Sequence, residues 1–321
     1  MTLLITEDDV KRLPLSVKSA IPIIENTFRL AGQGVAENPP RWRMPFHNKG
    51  FLQFGPARLP TEHSTGFKLW ANFGETRRGH GWDFLFNMES GNLDAIIQSY
   101  TISKYRTSAA SAVAVKYLSR EDASVVGLYS SGRQAEGQLE GICAVRPIRR
   151  VQVYSRDAAK RADFCSRMSA RFGIEVVPMA SPELVPQGAD IIVTVTNSEV
   201  PVLFGEWMTR PALVVAAGAN HWYKRELDTA VIEKSNLIVV DEMEQARVEG
   251  GNLLYAIAKG VLTWDRVEEL GDVVTGRVQI ADPRTSTILF ESHGLAINDM
   301  AMAAKTYELA RVQGLGAEIK L

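Results

Sequence analysis

The sequence predicts an α/β protein: a doubly wound parallel sheet in one domain, with a second α+β domain beside it. Three observations carry this expectation. From about Asp122 onward, short β-branched or apolar runs alternate with stretches of helical composition, the signature of βαβ units. The region before it is punctuated by Pro and Gly in a way that favours short strands and turns. At 321 residues the chain also exceeds the size at which a single core usually stops growing.

In chain order, a helical opening over Ser16 to Leu30 precedes the punctuated segments Pro39-Pro40, Gly50, Gly55-Pro56 and Gly66. Thr107 to Leu118 is a small-residue helix leading into the alternating region. There the expected strands are Ser124 to Tyr129, Arg150 to Tyr154, Glu175 to Pro178, Asp190 to Thr196, Ala212 to Ala217 and Asn236 to Val240. The clearest helix between them, Ala158 to Phe172, spaces apolar Ala159, Ala162, Phe164 and Met168 among charges. After Ser292 the pattern turns helical again, and Ile297 to Val312, rich in Ala and Met, reads as a helix returning to the first domain. The expected division is 1–119 completed by 295–321, and 120–294.

Composition narrows the function. Lys plus Arg total 36 against 37 for Asp plus Glu, so no field gathers nucleic acid or an anionic membrane, and a small-molecule partner is expected. No apolar run approaches the roughly 20 residues needed to span a bilayer. The opening Met1 to Arg12 carries acids and lacks a signal-peptide pattern, so a cytoplasmic location is expected. Cys143 and Cys165 form no CxxC and have no nearby His set, so they read as buried thiols, with neither a disulfide framework nor a metal site.

Directly after the first expected strand, Gly127 to Ala135 (GLYSSGRQA) enters a helix. A Gly-rich strand-to-helix turn lets backbone N–H groups approach a pyrophosphate. The fingerprint is degraded: aligned on Gly132 and Ala135, the first Gly of G-x-G-x-x-A is Ser130. Its place at the head of the alternating series supports a dinucleotide site. The second strand ends in Ser155-Arg156-Asp157. An acid there binds the ribose hydroxyls of NAD, whereas an Arg accommodates the 2′-phosphate of NADP. Arg156 leans toward NADP, and Asp157 reads equally well as a helix N-cap, so the choice stays open.

At spaced points, in order, over nearly the whole chain, the sequence resembles the ornithine cyclodeaminase/mu-crystallin family. The points are Pro39-Pro40-Arg41, Gly66-Phe67-Lys68, Ser90-Gly91, Arg106 to Ala110, the Ser130 to Ala135 turn, Tyr154-Ser155-Arg156, Ala189 to Thr196 with Pro201-Val202-Leu203, Ala217 to Asn220, Arg225 to Asp228, and Ser292-His293-Gly294 with Asn298-Asp299. The resemblance implies a Rossmann domain, an NAD(P)H cofactor, and a homodimer whose N-terminal region and returning helix bind substrate and dimerise. It places Arg41 and Arg106 on the substrate carboxylate and Lys68 at the reacting centre. Guanidinium groups grip a carboxylate bidentately, and a lysine beside them fixes orientation and polarity. It assigns cofactor contacts to Ser90, Arg106, Thr107, Ser131, Gly132, Arg133, Gln134, Ser155, Arg156, Thr196, Lys224 and Ser292.

One departure directs the reading. Where the family's cyclodeaminases and alanine dehydrogenase carry an aspartate that moves protons, this sequence has Asn220. An amide cannot ionise, so it binds substrate without shuttling a proton. Asn220 is therefore placed in the catalytic set as a hydrogen-bonding residue, with His221 as an alternative proton source and Glu226 and Asp228 as structural. Reduction of a preformed imino acid to an L-amino acid is favoured over cyclodeamination or alanine oxidation. The cations Arg41, Arg43, His47, Lys49 and Arg58 suggest a second substrate carboxylate, hence iminosuccinate reduced to aspartate. A mu-crystallin-like binding protein is the alternative of another class, and the retention of Lys68, Arg41 and Arg106 argues against it.

Overall fold

The computed structural model describes residues 1–46, 50–59, 64–73 and 79–320, so His47 and Lys49 lie outside the described residues. Contacts divide the chain into Met1–Arg106 with Leu295–Leu321, and Thr107–Gly294. The expected division at 119/120 lies just past the end of helix α3 (Tyr100–Leu118), whereas the contact division falls inside that helix, which runs unbroken from the first unit into the second.

The first unit holds a seven-stranded sheet in the order β15-β1-β6-β5-β4-β3-β2. Its strands are β1 (Thr2–Ile5), β2 (Trp42–Pro45), β3 (Phe51–Leu59), β4 (Ser64–Asn72), β5 (His80–Asn87), β6 (Leu93–Gln98) and β15 (Ala317–Ile319). Beside them lie α1 (Glu7–Arg12), α2 (Val17–Gly32) and α10 (Ala296–Gln313). Thr6 and Ser16 begin α1 and α2 with reciprocal capping boxes that satisfy backbone N–H groups the first turn leaves unpaired. Strand alternation sorts the side chains. Ala57, Leu59, Lys68, Asp83, Leu85, Ala95 and Ile97 are buried on the face that α10 covers, while Phe54, Phe67, Phe84 and Phe86 point the other way and stay half-buried. Gly66 allows the close seating of α10: a Cβ there would stand 2.6 Å from Met300 Sδ and 2.0 Å from the Phe84 carbonyl oxygen.

The second unit is an eight-stranded, wholly parallel sheet in the order β13-β12-β14-β11-β10-β7-β8-β9. The strands are β7 (Val125–Tyr129), β8 (Arg150–Tyr154), β9 (Glu175–Pro178), β10 (Ile191–Thr194), β11 (Leu213–Ala216), β12 (Ser235–Val240), β13 (Val267–Glu269) and β14 (Thr287–Glu291). Helices α4 (Arg133–Val145), α5 (Ala158–Phe172), α6 (Thr229–Lys234), α7 (Met243–Glu249), α8 (Gly251–Ala258) and α9 (Leu270–Val274) alternate with them. Six of these strands match the expectation. The other two were not anticipated: β13 is three residues long, and in β14 the apolar run is only Ile288-Leu289-Phe290 between Thr287 and Glu291. The fold is the doubly wound α/β type. Strand order reverses between β7 and β10, and ligands of such sheets bind at the carboxyl ends beside that switch point. Among the described residues no helix is long and apolar enough to cross a membrane.

Candidate active site

In the first unit, strand register builds a row of functional side chains. Gly55 pairs with Lys68, and Lys68 with Asp83, so all three lie side by side on the face covered by α10. Arg41 enters the same row from just before β2: a Cβ on Gly55 would lie 3.5 Å from Arg41 Cβ, and the missing side chain keeps the space between Arg41 and Lys68 open. From its first turn α10 supplies Asp299, and from its N-terminal half α3 supplies Ser103 and Arg106.

Lys68 Nζ donates to Asp299 Oδ1 at 2.7 Å and to Ser103 Oγ at 2.5 Å, and lies 3.6 Å from Asp83 Oδ1. Arg106 Nε donates to the same Asp299 oxygen at 2.9 Å. Lys68 is 5%, Asp83 1% and Asp299 4% exposed, so these charges interact in a medium far less polar than water. Burial opposes ionisation of Asp299, but Arg106 and Lys68 outweigh it and hold its pKa below the ordinary carboxylate value. Asp83 goes the other way: burial, reinforced by the Asp299 charge, raises it to about 7 against the pull of Lys68 and Arg106. Lys68, Arg106 and Arg41 outnumber the ionised Asp299 carboxylate, so the row stays net positive whichever form Asp83 takes, which suits a carboxylate ligand. Arg43 is engaged with Gln53 Oε1 (3.2 and 2.5 Å) and lies over the Phe51 ring, while Arg58 pairs with Glu37 at the surface.

In the second unit the remaining sequence candidates gather at the carboxyl ends of the strands. Ser130 has φ 142°, a backbone conformation that favours glycine, so it occupies the first glycine position of the fingerprint in shape despite its side chain. Its Oγ accepts the Gly132 N–H at 3.2 Å. Gly132 gives α4 no side-chain cap, as a helix N-terminus facing a pyrophosphate requires. Arg133 and Gln134 open α4, and Gln134 Oε1 is buried with no hydrogen-bond partner. Ser131 and Ser155 meet through their hydroxyls at 2.9 Å, joining the β7 and β8 ends. Asp157 caps α5 by accepting the Lys160 N–H at 3.0 Å, which leaves exposed Arg156 as the charged group at the β8 end without a local structural task of this kind. These features fit a dinucleotide.

Thr196 and Asn220 follow β10 and β11 on loops held by one buried side chain. Glu226 accepts the Thr196 N–H at 2.5 Å, the Thr194 hydroxyl at 3.0 Å and the Gly218 N–H at 2.8 Å. Burial raises its pKa in spite of these donors. Asn220 Oδ1 lies 2.9 Å from His221 Nδ1, and because an amide oxygen only accepts, the imidazole carries its proton on Nδ1. Lys224 follows in the same loop. Ser292 donates to Asp241 Oδ2 at 3.1 Å, and that carboxylate also receives the His293 and Gly294 N–H groups. Of the remaining candidates, Ser90 sits on the exposed β5–β6 turn of the first unit, where it accepts the Asn92 N–H, and Thr107 follows Arg106 in α3. Sequence reasoning gave no role to Asp83 or Ser103 and none beyond a motif match to Asp299. The available signal was an acid, Asp83, between Trp82 and Phe84 in a strand.

The family model described as ornithine cyclodeaminase/mu-crystallin family matches residues 2–314. The chain belongs to that family. A Δ1-pyrroline-2-carboxylate reductase from Thermococcus litoralis, solved in complex with NADH and L-proline, superposes with a TM-score of 0.94 at 29% identity, over 99% of this chain and 100% of that one. An archaeal alanine dehydrogenase dimer with bound NAD gives a TM-score of 0.93 at 32% identity, over 100% and 99% of the two chains. The iminosuccinate reductase of Paracoccus denitrificans is 31% identical over 74% of this chain and 73% of its own.

Proposed function

We propose that this member of the ornithine cyclodeaminase/mu-crystallin family is a nicotinamide-dependent oxidoreductase that reduces the C=N bond of an imino acid to an L-amino acid, with iminosuccinate as substrate and aspartate as product. The observation that carries the reading is a pair of contrasts: the buried Lys68–Arg106–Asp299 cluster is intact, while the loop position that would move protons in a deaminating enzyme is the Asn220 amide. Its named relatives include reductases of Δ1-pyrroline-2-carboxylate and iminosuccinate.

Ser131, Gly132, Arg133, Gln134, Ser155, Arg156, Thr196, Lys224 and Ser292 hold the cofactor, which supplies a hydride when bound. Arg41 and Arg106 take the α-carboxylate, and Lys68 presents an N–H to the imine nitrogen, favouring the protonated iminium that accepts hydride readily. Burial of the cluster strengthens each of these contacts at the reacting centre. Arg43 is the cation in the same strand context that a second carboxylate would recruit from Gln53. The working unit is a homodimer formed through the aromatic face of the seven-stranded sheet.

The test is incubation with NADH or NADPH and a panel of imines, including iminosuccinate formed from oxaloacetate and ammonia, with ornithine and L-alanine plus NAD(P)+ as controls. The expected result is imine reduction with no proline from ornithine. Efficient release of proline would overturn the reading and move the proton-transfer role to His221, Glu226 or Asp228. Alanine oxidation outpacing every imine would favour the alanine dehydrogenase, to which the chain is similar over its whole length.

A further inference from the structure

We propose that Asp83 is the proton store of the site: it re-protonates Lys68 after Lys68 has given a proton to the imine nitrogen. The inference rests on the imine-reduction reading and deepens it, because replacing an aspartate by Asn220 leaves open where the consumed proton comes from.

The geometry separates the two acids around Lys68 by task. Asp299 is a permanent counter-ion, bonded to Lys68 at 2.7 Å and to Arg106 at 2.9 Å. Asp83 faces Lys68 across the β4–β5 pair, 3.6 Å away, beyond hydrogen-bond length, and its Oδ1 is buried with no hydrogen-bond partner. Burial in that position opposes ionisation and Asp299 already neutralises one cation, so Asp83 holds its proton well above the ordinary carboxylate range. The charged groups facing it are Lys68 from β4, Asp299 from α10 and Arg106 from α3; on the β6 side Ile97 is its strand partner, and the Ser99 hydroxyl just after β6 favours the carboxylate, as Lys68 and Arg106 do. Burial first, then the Asp299 charge, lift Asp83 to about 7, where a store both fills and empties at neutral pH.

The step balances. The imine carbon gains a hydride and its nitrogen takes a proton from the Lys68 ammonium, so C=N becomes CH–NH as the nicotinamide is oxidised. The neutral Lys68 amine, no longer held by Asp299 as a cation, takes the Asp83 carboxyl proton after a shift of roughly 1 Å into hydrogen-bond reach. Asp83 then takes a proton from solvent.

Because Asp83 acts through Lys68, its test needs readouts that a structural role would not move. The variants are Asp83→Asn, which keeps the shape, and Asp83→Glu, which restores an acid. Wild-type kcat should fall as pH rises through neutrality, since the store empties above its pKa. Asp83→Asn should lower kcat by about tenfold to a hundredfold, flatten that limb, and leave KM and the NADH dissociation constant within about twofold; Asp83→Glu should recover the limb. Independently of turnover, carboxyl-13C NMR of the ligand-free wild type should show one aspartate titrating near neutrality, absent from Asp83→Asn. This last measurement decides the matter even if Asp83→Asn fails to fold, with Asp83→Glu then identifying the signal by its loss. An Asp83 titrating in the ordinary carboxylate range, or an Asp83→Asn enzyme with wild-type kcat and pH profile, overturns the proposal. A wild type that reduces no imine while Asp83 still titrates near neutrality overturns the function, and the role with it, but not the placement of the proton.

Discussion

At the residue scale, the site depends on Lys68 being both buried and paired. Removing it takes away the group assigned to the imine and leaves Arg106 and Asp299 to pair with each other, so the fold has a way to relax. Lys68→Ala is therefore expected to stay folded and to bind cofactor with unchanged affinity, measured by NADH fluorescence, while turnover falls by about a hundredfold or more. Near-wild-type turnover would remove Lys68 from the chemistry. Arg156 gives a second test. Asp157 is occupied as the α5 cap, and Arg156 is exposed at the end of β8, so Arg156→Ala should weaken NADPH binding about tenfold while changing NADH little. Equal loss for both cofactors would show that the guanidinium does not read the 2′-phosphate. How far such residues are legible in sequence differs by kind. Lys68, Arg41 and Arg106 came from motif likeness. Asp83 did not, because nothing local in the sequence says that an acid at an inward strand position will face a lysine paired to it by register.

At the element scale, Asp241, His293 and Glu291 fasten the end of β12 to the segment leaving β14. His293 Nδ1 lies 3.1 Å from Asp241 Oδ1 and Nε2 3.3 Å from Glu291 Oε1, with all three side chains buried. Burial alone would push the imidazole down, but hydrogen bonds and charge from the two carboxylates overcome it and raise the pKa to about 10. A group raised on folding adds stability that is complete below its unfolded value and is lost as pH rises through its folded value. Melting temperature should therefore decline between about pH 6.5 and 10, and His293→Gln should flatten that decline when melts are followed across the range. A wild-type slope that survives the substitution would place the titration elsewhere. Gly127 sets a steric limit in the same sheet: a Cβ there would stand 2.6 Å from the Val185 carbonyl oxygen. Gly127→Ala is expected to lower stability by about 1–3 kcal/mol in urea titration, with the slope unchanged. The parallel sheet was readable where strands alternate with helices; β14, buried throughout like β10 and β11, offers only the short apolar run Ile288-Leu289-Phe290 between polar neighbours.

At the scale of the whole molecule, the seven-stranded sheet shows two different faces. The face under α10 carries the Lys68 row. The opposite face holds stacked Phe67 and Phe84 (centroids 4.6 Å apart), Phe54 against Phe67 (4.9 Å) and Phe86 beside them, all half-buried, with Trp42 59% and Met44 40% exposed on the edge strand. An antiparallel sheet with one face in water normally alternates polar residues onto it. An apolar aromatic patch there is where the proposed homodimer would pair, since a self-complementary surface suits two-fold pairing of identical chains. The homodimer assigned to this face makes a definite prediction. Placing a charge at its centre, Phe67→Asp, buries an unpaired carboxylate in each half of the interface and should convert the protein to monomers of half the mass by light scattering. Because Phe67 points away from Lys68 in alternating β4, the site row itself is untouched, so NADH binding should persist in the monomer. Arg58→Ala, which removes only a surface pair with Glu37, serves as the control that keeps the wild-type mass. A Phe67→Asp protein that remains a dimer would move the interface to another surface and leave this aromatic face without an occupant.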